Sequence, residues 1–357
     1  MTPSSENSVS GKLSSLDRWL PLWIFTAMAL GIGLGRAWPG LGPALNRVKL
    51  DTVSLPIAIG LLWMMYPVLA KVKYAKLGQL GQIGGQGRLL GTSLVFNWVI
   101  GPLLMFGLAW LFLPDLPHYR TGLILIGLAR CIAMVLIWNM LACGSGEVAA
   151  LLVAFNSVFQ ILCYSLLGWF FITVVPGWFG AAPTSFHVSM GAIAKSVAVF
   201  LGVPLVAGAL TRLVLVRAKG EAWYEQAFLP RLGPTALFGL LYTIALMFAM
   251  QGSQLLAHPF DVLRIALPLV IYFAITFVSA FFAGKKLGFS YEETAALSFT
   301  AAGNNFELAI AVAIGLFGIQ SGEALAGVVG PLIEVPALIA LVYISLWLRG
   351  RLFGGNR

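Results

Sequence analysis

The chain has 357 residues, of which 59% are hydrophobic and only 10% are charged, and its mean hydropathy is +0.92. Soluble domains carry about 25% charged residues, so this composition excludes an ordinary soluble globule and indicates a polytopic membrane protein. The net charge of +9 comes from short basic clusters between apolar runs, and no aromatic-interleaved basic surface is apparent, so we expect no nucleic-acid partner.

Ten apolar runs follow one another along the chain, separated by glycine, proline and clusters of charge. Because a helix needs roughly 20 apolar residues to cross a bilayer, these runs predict an all-α protein with ten transmembrane helices. The polar segments 1–18 and 349–357 are predicted to be terminal tails. The predicted spans cover residues 19–36, 53–70, 89–113, 121–141, 148–172, 191–216, 234–252, 262–283, 293–317 and 324–348.

Lysine and arginine are distributed unevenly between the predicted loops. With a cytoplasmic N-terminus, 15 of the 22 basic residues lie on the inside and six on the outside, and Arg130 lies within a span. The positive-inside rule therefore predicts that both termini are cytoplasmic.

Two correspondences predict an internal repeat. The segment SGEVA at 145–149 matches SGEAL at 321–325, and the spacing from Tyr119 to Cys131 equals that from Tyr291 to Gly303. They pair a first five-helix repeat (19–172) with a second (191–348), joined by a loop at 173–190. Because five is odd, the repeats are inverted, which is typical of secondary transporters with a site where discontinuous helices meet. The repeat points to spans 4 and 9.

Span 9 contains a carboxylate, Glu307, shortly after Gly303, Asn304 and Asn305. A charge deep in an apolar span is costly and indicates a functional site, and the glycine and asparagines loosen the helix before it. Asn304 and Glu307 would share a face if the helix persisted. We predict that Glu307 binds protons; the alternative is a structural carboxylate that pairs with Arg130.

Span 4 contains Arg130 next to Cys131. Arginine stays charged, so Arg130 must meet an anion, a carbonyl group or a water cavity. A neighbouring guanidinium favours a thiolate at Cys131, although a buried cysteine can also be simply a small hydrophobe. Cys143 and Cys163 have no such neighbour, and their roles stay open.

Further polar residues lie in the following spans. Asn156 belongs to a polar stripe in span 5, and interhelical hydrogen bonding is the default explanation for such amides. Glu334 lies within span 10 and is a third charged residue deep in a span, after Arg130 and Glu307. The sequence contains no zinc-protease, nucleophile-elbow or phosphate-loop motif, so we expect neither an enzyme nor a cofactor.

Long motifs in these spans resemble the arsenical-resistance permeases, which are arsenite exporters of the bile-acid/sodium-symporter superfamily. The resemblance runs over the whole chain from about residue 19. The matching segments are FNWVIGP at 96–102, GLARCIAMVLIWN at 127–139, EVAALLVAFNSVFQ at 147–160, TAAGNNFELAIAVAIG at 300–315 and GPLIEVPALIALVY at 330–343.

The resemblance implies a panel and a core domain, with broken helices 4 and 9 crossing in the core. It also implies export of arsenite, and in some members antimonite, across the cell inner membrane in exchange for protons. The family's functional cysteine falls on Cys131 and its acidic residue on Glu307. Arg130 stands where some members have proline, and Met140 follows the tryptophan-asparagine pair, where charged or small residues are common.

The resemblance and the residue patterns together define a candidate site. Arsenite is a neutral trihydroxide with a soft centre, which a thiolate selects. We expect substrate binding by Cys131, Arg130, Asn304, Asn305 and Asn156, and proton coupling by Glu307. Three further residues are expected to support the site: Glu334, Asn139 and Trp138.

Two other functions stay open at this point. A sodium-coupled organic-anion symporter of the same fold would require more sodium-coordinating groups and would leave Cys131 without a task. A membrane-embedded enzyme or receptor would not require the repeat. A homo-oligomer and the transport of antimonite also stay open.

Overall fold

A computed structural model of the protein describes residues 19–45, 47, 49–50, 53–71, 87–132, 134–179, 189–257 and 259–354. This part of the chain is almost entirely helical, and its only strands are β1 (Lys49–Leu50) and β2 (Val53–Ser54), which form a short antiparallel pair. The predicted tail at 1–18 lies outside the described residues.

Helices α1 to α7 form the first half of the described chain. Two of them, α5 and α6, together occupy predicted span 4. The bounds are α1 Leu20–Ala37, α2 Leu41–Leu45, α3 Leu55–Ala70, α4 Gly87–Phe112, α5 Pro117–Leu128, α6 Met134–Leu141 and α7 Gly146–Trp178.

Helices α8 to α13 form the second half, in which α11 and α12 together occupy predicted span 9. Helix α9 runs to Ala257 and is continuous with the helical turns Glu221–Trp223 and Tyr224–Phe228 before it. The bounds are α8 Met190–Lys219, α9 Leu229–Ala257, α10 Pro259–Lys286, α11 Tyr291–Ala302, α12 Phe306–Phe317 and α13 Gly322–Leu352.

Among the described residues, six helical stretches are long and apolar enough to cross a membrane, by length and composition alone, and three shorter apolar helices accompany them. The protein is therefore a multi-pass membrane protein. The long stretches are Gly87–Phe112, Gly146–Trp178, Met190–Lys219, Glu221–Met250, Phe260–Lys286 and Gly322–Leu352; the shorter ones are Leu22–Ala37, Leu55–Ala70 and Phe306–Phe317.

Several helices extend beyond the predicted spans. Helix α7 continues to Trp178 through part of the predicted loop 173–190, helical structure before α9 begins at Glu221, and α13 runs to Leu352 into the predicted tail. Hydropathy reports the apolar length that a bilayer requires, whereas a helix continues as long as its backbone hydrogen bonds are satisfied.

In the part of the chain that the structure describes, four π-helical turns lie within or directly before long helices, and in each case a proline follows the turn by two residues. Proline has no N–H and its ring clashes with the carbonyl group one turn earlier, so the local hydrogen bonds shift to wider i→i+5 spacing. The turns are Phe96–Ile100 before Pro102, Phe170–Val174 before Pro176, Ala198–Gly202 before Pro204 and Tyr224–Phe228 before Pro230.

The helices pack in two groups. In one group, α9 lies along α1 and α3, and α8 packs on α3. A Cβ atom at Gly31 or Gly35 would overlap the carbonyl oxygen of Ala245 or Ala249, whereas Gly33 has open space beside it. Two of the three glycines of α1 therefore permit its close approach to α9.

The second group surrounds the broken helices. In it, α10 packs on α4, α11 and α13, and α13 also packs on α5 and α12. An ion pair braces one end, where Arg264 of α10 donates to Asp115 Oδ2 at 2.9 Å. The hydrogen bonds from Arg264 hold the pKa of Asp115 at about 2, below its usual value.

Candidate functional site

The two broken spans meet at their breaks. Arg130 and Asn304 form an isolated antiparallel bridge. The backbone N–H of Cys131 donates to the carbonyl oxygen of Gly303 at 3.3 Å, and that of Asn305 donates to Ala129 at 2.9 Å. At each break, backbone groups that have lost their helical partners thus form hydrogen bonds with the other break. We call residues 129–132 and 303–305 the crossing.

Helix α11 ends because its backbone becomes extended at Gly303 (φ −71°, ψ 142°), as does α5 at Ala129 (φ −83°, ψ 114°). The helix therefore does not persist at Asn304, and the condition under which Asn304 and Glu307 would share a helix face is not met. The Asn304 side chain instead turns to the carbonyl oxygens of Ile126 and Ala129, at 2.8 and 3.2 Å.

Each second half-helix receives a side-chain contact at its N-terminus. Asn305 Oδ1 accepts a hydrogen bond from the N–H of Leu308 at 3.0 Å in α12, and Cys131 Sγ accepts from Val135 at 3.3 Å in α6. Helix N-termini carry partial positive charge, and the electron-rich sulfur atom lies at this end of α6. Cys131 is buried, and a Cβ atom at Gly303 would lie 2.9 Å from its Cβ.

Arg130 is completely buried but has no carboxylate partner among the described residues. Its guanidinium donates to the hydroxyl of Tyr272 at 2.8 Å and to the carbonyl oxygen of Gly127, while its Nε has no hydrogen-bond partner. The alternative in which Glu307 pairs with Arg130 is therefore wrong. A carbonyl group and a hydroxyl receive this charge instead.

The two deep carboxylates lie close to the crossing. Glu307 is partly buried in the first turn of α12, and Glu334 of α13 is 5% exposed. The Glu334 carboxylate interacts with the backbone N–H of Asn304 and electrostatically with Glu307, while its Oε1 has no hydrogen-bond partner. The structure thus places both carboxylates beside the same break.

Three other predicted residues make contacts that also fit structural roles. Asn156 Oδ1 accepts from Trp98 Nε1 at 3.1 Å, which links α7 to α4. Asn139 donates to the carbonyl oxygen of Ser145 at 3.1 Å, across the turn between α6 and α7. Trp138 is buried in the hydrophobic core, and no hydrogen bond is present at its Nε1.

The remaining cysteines differ in position from Cys131. Cys143 lies in the turn before α7 with a positive φ of 56°, and Cys163 lies within α7, each with intermediate exposure. Neither takes part in the hydrogen bonds of the crossing given above.

Sequence reasoning missed three contributors to the crossing. Gln160 Oε1 accepts a hydrogen bond from the backbone N–H of Arg130, and Tyr164 donates to the carbonyl oxygen of Leu125 at 3.0 Å. Tyr272 is the hydroxyl partner of the guanidinium. Gln160 had a signal, because it continues the stripe of Asn156, but Tyr272 stands alone in an apolar run.

A multi-pass helical protein whose two broken helices join at charged residues has the architecture of a secondary transporter. The sequence profile described as the Sodium Bile acid symporter family matches residues 58–258. The chain belongs to this family, and it is a membrane transporter, not an enzyme.

Relatives extend over nearly the whole chain. It is 53% identical over 354 residues to the arsenical-resistance protein Acr3 of Corynebacterium glutamicum. The aligned region covers 99% of this chain and 95% of that protein. It is 36% identical to an uncharacterized transporter of Synechocystis, covering 94% and 89%. It is 32% identical to the arsenical-resistance protein Acr3 of Alkaliphilus metalliredigens, covering 96% of both.

Proposed function

We propose that this transporter exports arsenite from the cytoplasm in exchange for protons, and that the crossing is its substrate site. The observation that carries the proposal is the position of Cys131, a buried thiol at the N-terminus of a half-helix inside a broken span. The 53% identity to an arsenical-resistance protein supports the choice of arsenite.

Cys131 would bind the arsenic atom directly. Arsenite at neutral pH is As(OH)₃, and its soft centre favours sulfur over oxygen ligands. The sulfur forms one S–As bond while one hydroxide leaves, and the thiol proton joins that hydroxide to give water. A single S–As bond is reversed by water more readily than three, so the substrate can be released on the other side.

Polar atoms of the crossing would hold the hydroxyl groups of the substrate. Asn304 Oδ1 and Asn305 Nδ2 are buried without hydrogen-bond partners, and so is the Nε of Arg130. An acceptor and two donors match As–OH groups, which both donate and accept. Asn156 Nδ2 is also buried without a hydrogen-bond partner.

Glu307 and Glu334 would carry the proton. Two negative charges near each other in apolar surroundings repel, so proton binding to one of them relieves the repulsion. Protons entering from outside would neutralise Glu307, and their release to the cytoplasm would accompany arsenite binding. The neighbouring Asn304 makes backbone contact with Glu334 and side-chain contacts with α5, and so would link the two events.

The proposed architecture has ten spans in two inverted five-helix repeats in the cell inner membrane, with both termini cytoplasmic. Helices α1, α3, α8 and α9 would form the panel, and the helices around the crossing would form the core. Alternating access would then arise from rocking of the core against the panel.

Arsenite uptake into everted membrane vesicles tests the proposal. Cys131→Ser and Glu307→Gln are expected to abolish uptake while the protein still inserts, because serine is a poor ligand for arsenic and glutamine binds no proton. Cys163→Ser is the matched control and keeps wild-type uptake. Full uptake by either Cys131→Ser or Glu307→Gln would overturn these roles.

One rival function is a sodium-coupled organic-anion symporter, the class of protein that the family description names. It predicts that replacing sodium by choline stops transport and that a collapsed proton gradient has no direct effect. Arsenite export predicts the opposite pattern. The same vesicles, supplied with a bile acid or with antimonite, show which substrates are carried.

A further inference from the structure

Arg130 presents an unusual electrostatic arrangement. Its guanidinium is 0% exposed and permanently charged, yet no carboxylate within the described residues forms an ion pair with it. Burying an ion without a counter-ion is expensive unless dipoles replace its hydration shell. The surroundings of Arg130 should therefore be built to hold a cation.

The surroundings do have that chemistry. One terminal nitrogen of the guanidinium donates to the Tyr272 hydroxyl of α10 at 2.8 Å, and the other donates to the carbonyl oxygen of Gly127 in the last turn of α5. Gly101 of α4 leaves room for the group, because a Cβ atom there would lie 2.9 Å from Nη1 and 3.0 Å from the Tyr272 hydroxyl. Three helices thus enclose one cation.

Further carbonyl oxygens at this end of α5 also accept hydrogen bonds from side chains. Tyr164 donates to Leu125 at 3.0 Å, and Asn304 donates to Ile126 at 2.8 Å and to Ala129 at 3.2 Å. Such carbonyl groups, at the C-terminal end of a broken helix, are the groups with which secondary transporters coordinate sodium or protons. Here the oxygen of Gly127 receives a cation that belongs to the chain itself.

We propose that the guanidinium of Arg130 is a built-in cation, which takes the place of a soluble monovalent cation at the end of α5. The negative end of the α5 dipole is thereby compensated without an ion from solution. This chain would then need no sodium for a stable crossing or for transport. The transport part of the inference rests on the proposed function, whereas the cation-binding part does not.

The cation-binding part is tested on purified protein in detergent. Arg130→Ala removes the charge and opens a space between Gly101, Gly127 and Tyr272. Its thermal unfolding midpoint is expected to rise in sodium chloride, or in millimolar guanidinium, relative to choline chloride at the same ionic strength. The wild-type midpoint should be the same in all three salts. A variant whose midpoint does not distinguish the cations would overturn the inference.

The transport part is tested in everted vesicles with arsenite. In choline medium, Arg130→Ala should lose about tenfold or more of the wild-type rate, the scale of losing hydrogen bonds to one buried charge. Sodium or guanidinium should restore a large part of that rate, while wild-type uptake is unaffected by the exchange. An Arg130→Ala protein with a wild-type rate in choline would refute the proposal.

Two variants complete the design. Arg120→Ala is the matched control, since Arg120 is also buried but stacks over Trp110 at 3.8 Å and donates to the carbonyl oxygen of Pro114, away from the crossing. Its transport and stability should show no dependence on the cation. Arg130→Lys keeps the charge and should transport, at a reduced rate, without sodium.

Arg130→Lys also tests the built-in cation if the Arg130→Ala protein cannot be recovered from the membrane. Sodium-independent uptake by the lysine variant supports a built-in cation, and a sodium requirement or an inactive inserted protein contradicts it. If wild-type protein moves no arsenite while Arg130→Ala still shows the cation-specific midpoint, the proposed function fails and the cation site stands.

Discussion

Arg130 and Cys131 are adjacent in sequence but have different surroundings at the crossing. The guanidinium points to Gly127 and Tyr272, whereas Sγ of Cys131 accepts a hydrogen bond at the N-terminus of α6. The proposed roles follow this division, since a fixed cation suits the negative end of one half-helix and a sulfur that accepts a hydrogen bond suits the positive end of the next. One peptide bond separates the two tasks.

Gly303 offers a test of the position of Cys131 that leaves the thiol in place. Gly303→Ala adds a Cβ atom 2.9 Å from the Cβ of Cys131, so one of the two must shift. We expect arsenite uptake to fall about tenfold or more, since a misplacement of the order of 1 Å can cost about a hundredfold in a positioned reaction. The measurement is the initial rate in everted vesicles.

The matched control is Gly107→Ala, because nothing lies within 4 Å of a Cβ atom at Gly107. It should keep the wild-type rate. Equal rates for Gly303→Ala and wild type would show that the substrate does not depend on the position of Cys131.

Glu334 provides a second test at the residue scale. Glu334→Gln removes the charge that interacts with Glu307 and leaves Asn304 its neighbour. Because the two carboxylates interact, the loss of one of them should change the pH profile of proton-coupled uptake. Uptake rates measured between pH 5.5 and 8.5, about the range in which side chains titrate physiologically, give the profile. An unchanged pH profile would show that Glu334 takes no part in proton coupling.

At this scale the sequence predicted the charged and soft residues but not their partners. Glu307, Glu334, Arg130 and Cys131 were conspicuous because charges and thiols are unusual in apolar spans. Tyr272 was not, since a tyrosine hydroxyl is common in membrane helices and its partner comes from another helix. The pairing of Glu307 with Arg130 was wrong because backbone carbonyls can receive a guanidinium as a carboxylate does.

At the scale of elements, the packing of α1 on α9 depends on two small residues. Gly31 and Gly35 lie one turn apart and face Ala245 and Ala249, while Gly33 faces open space. Without a hydrophobic driving force in lipid, such close contact is a main source of helix association.

Substitution of these glycines tests that packing. Gly35→Val should destabilise the protein by about 1–3 kcal/mol, the usual range for overpacking a tight contact, and lower the thermal unfolding midpoint in detergent. Gly33→Val, the matched control, should leave the midpoint nearly unchanged. The opposite order of the two midpoints would mean that α1 does not pack on α9 through this face.

The helices were largely predictable, because a segment that crosses a bilayer must be apolar and must satisfy its backbone hydrogen bonds within a helix. Within the described residues, each predicted span falls mainly on helical structure, and the two spans that contain Arg130-Cys131 and Gly303-Asn304-Asn305 are each divided into two helices. The helix ends beyond the predicted spans, such as Trp178 and Leu352, were not predictable from hydropathy. The π-helical turns also escaped prediction, although the prolines that follow them were visible in the sequence.

For the whole molecule, the internal repeat and the inside position of both termini remain predictions from the sequence. A cysteine-labelling experiment tests the orientation. Cys131 is kept as the sole native cysteine, and one new cysteine is introduced per variant, at Ser10 or at Arg357. A membrane-impermeant thiol reagent should label both sites in everted vesicles and neither in intact cells. Labelling of one site in intact cells would place the two termini on opposite sides and contradict the ten-span arrangement.

The proposed mechanism combines the movement of whole helix groups with the chemistry of single residues. Rocking of one helix group against the other would expose the crossing alternately to each side, Cys131 would carry arsenic, and protons on Glu307 would permit the return. Arg130 would keep the crossing charged without sodium. Each of these roles serves the exchange of protons for arsenite.

Purified protein in liposomes, with arsenite and protons measured together, tests that exchange most directly. With no sodium present and an imposed pH gradient, acid outside, arsenite placed inside on the cytoplasmic face should leave against its own gradient, and protons should enter in proportion. Cys131→Ser liposomes should show neither flux. Arsenite movement that ignores the pH gradient, or that requires sodium, would contradict the account.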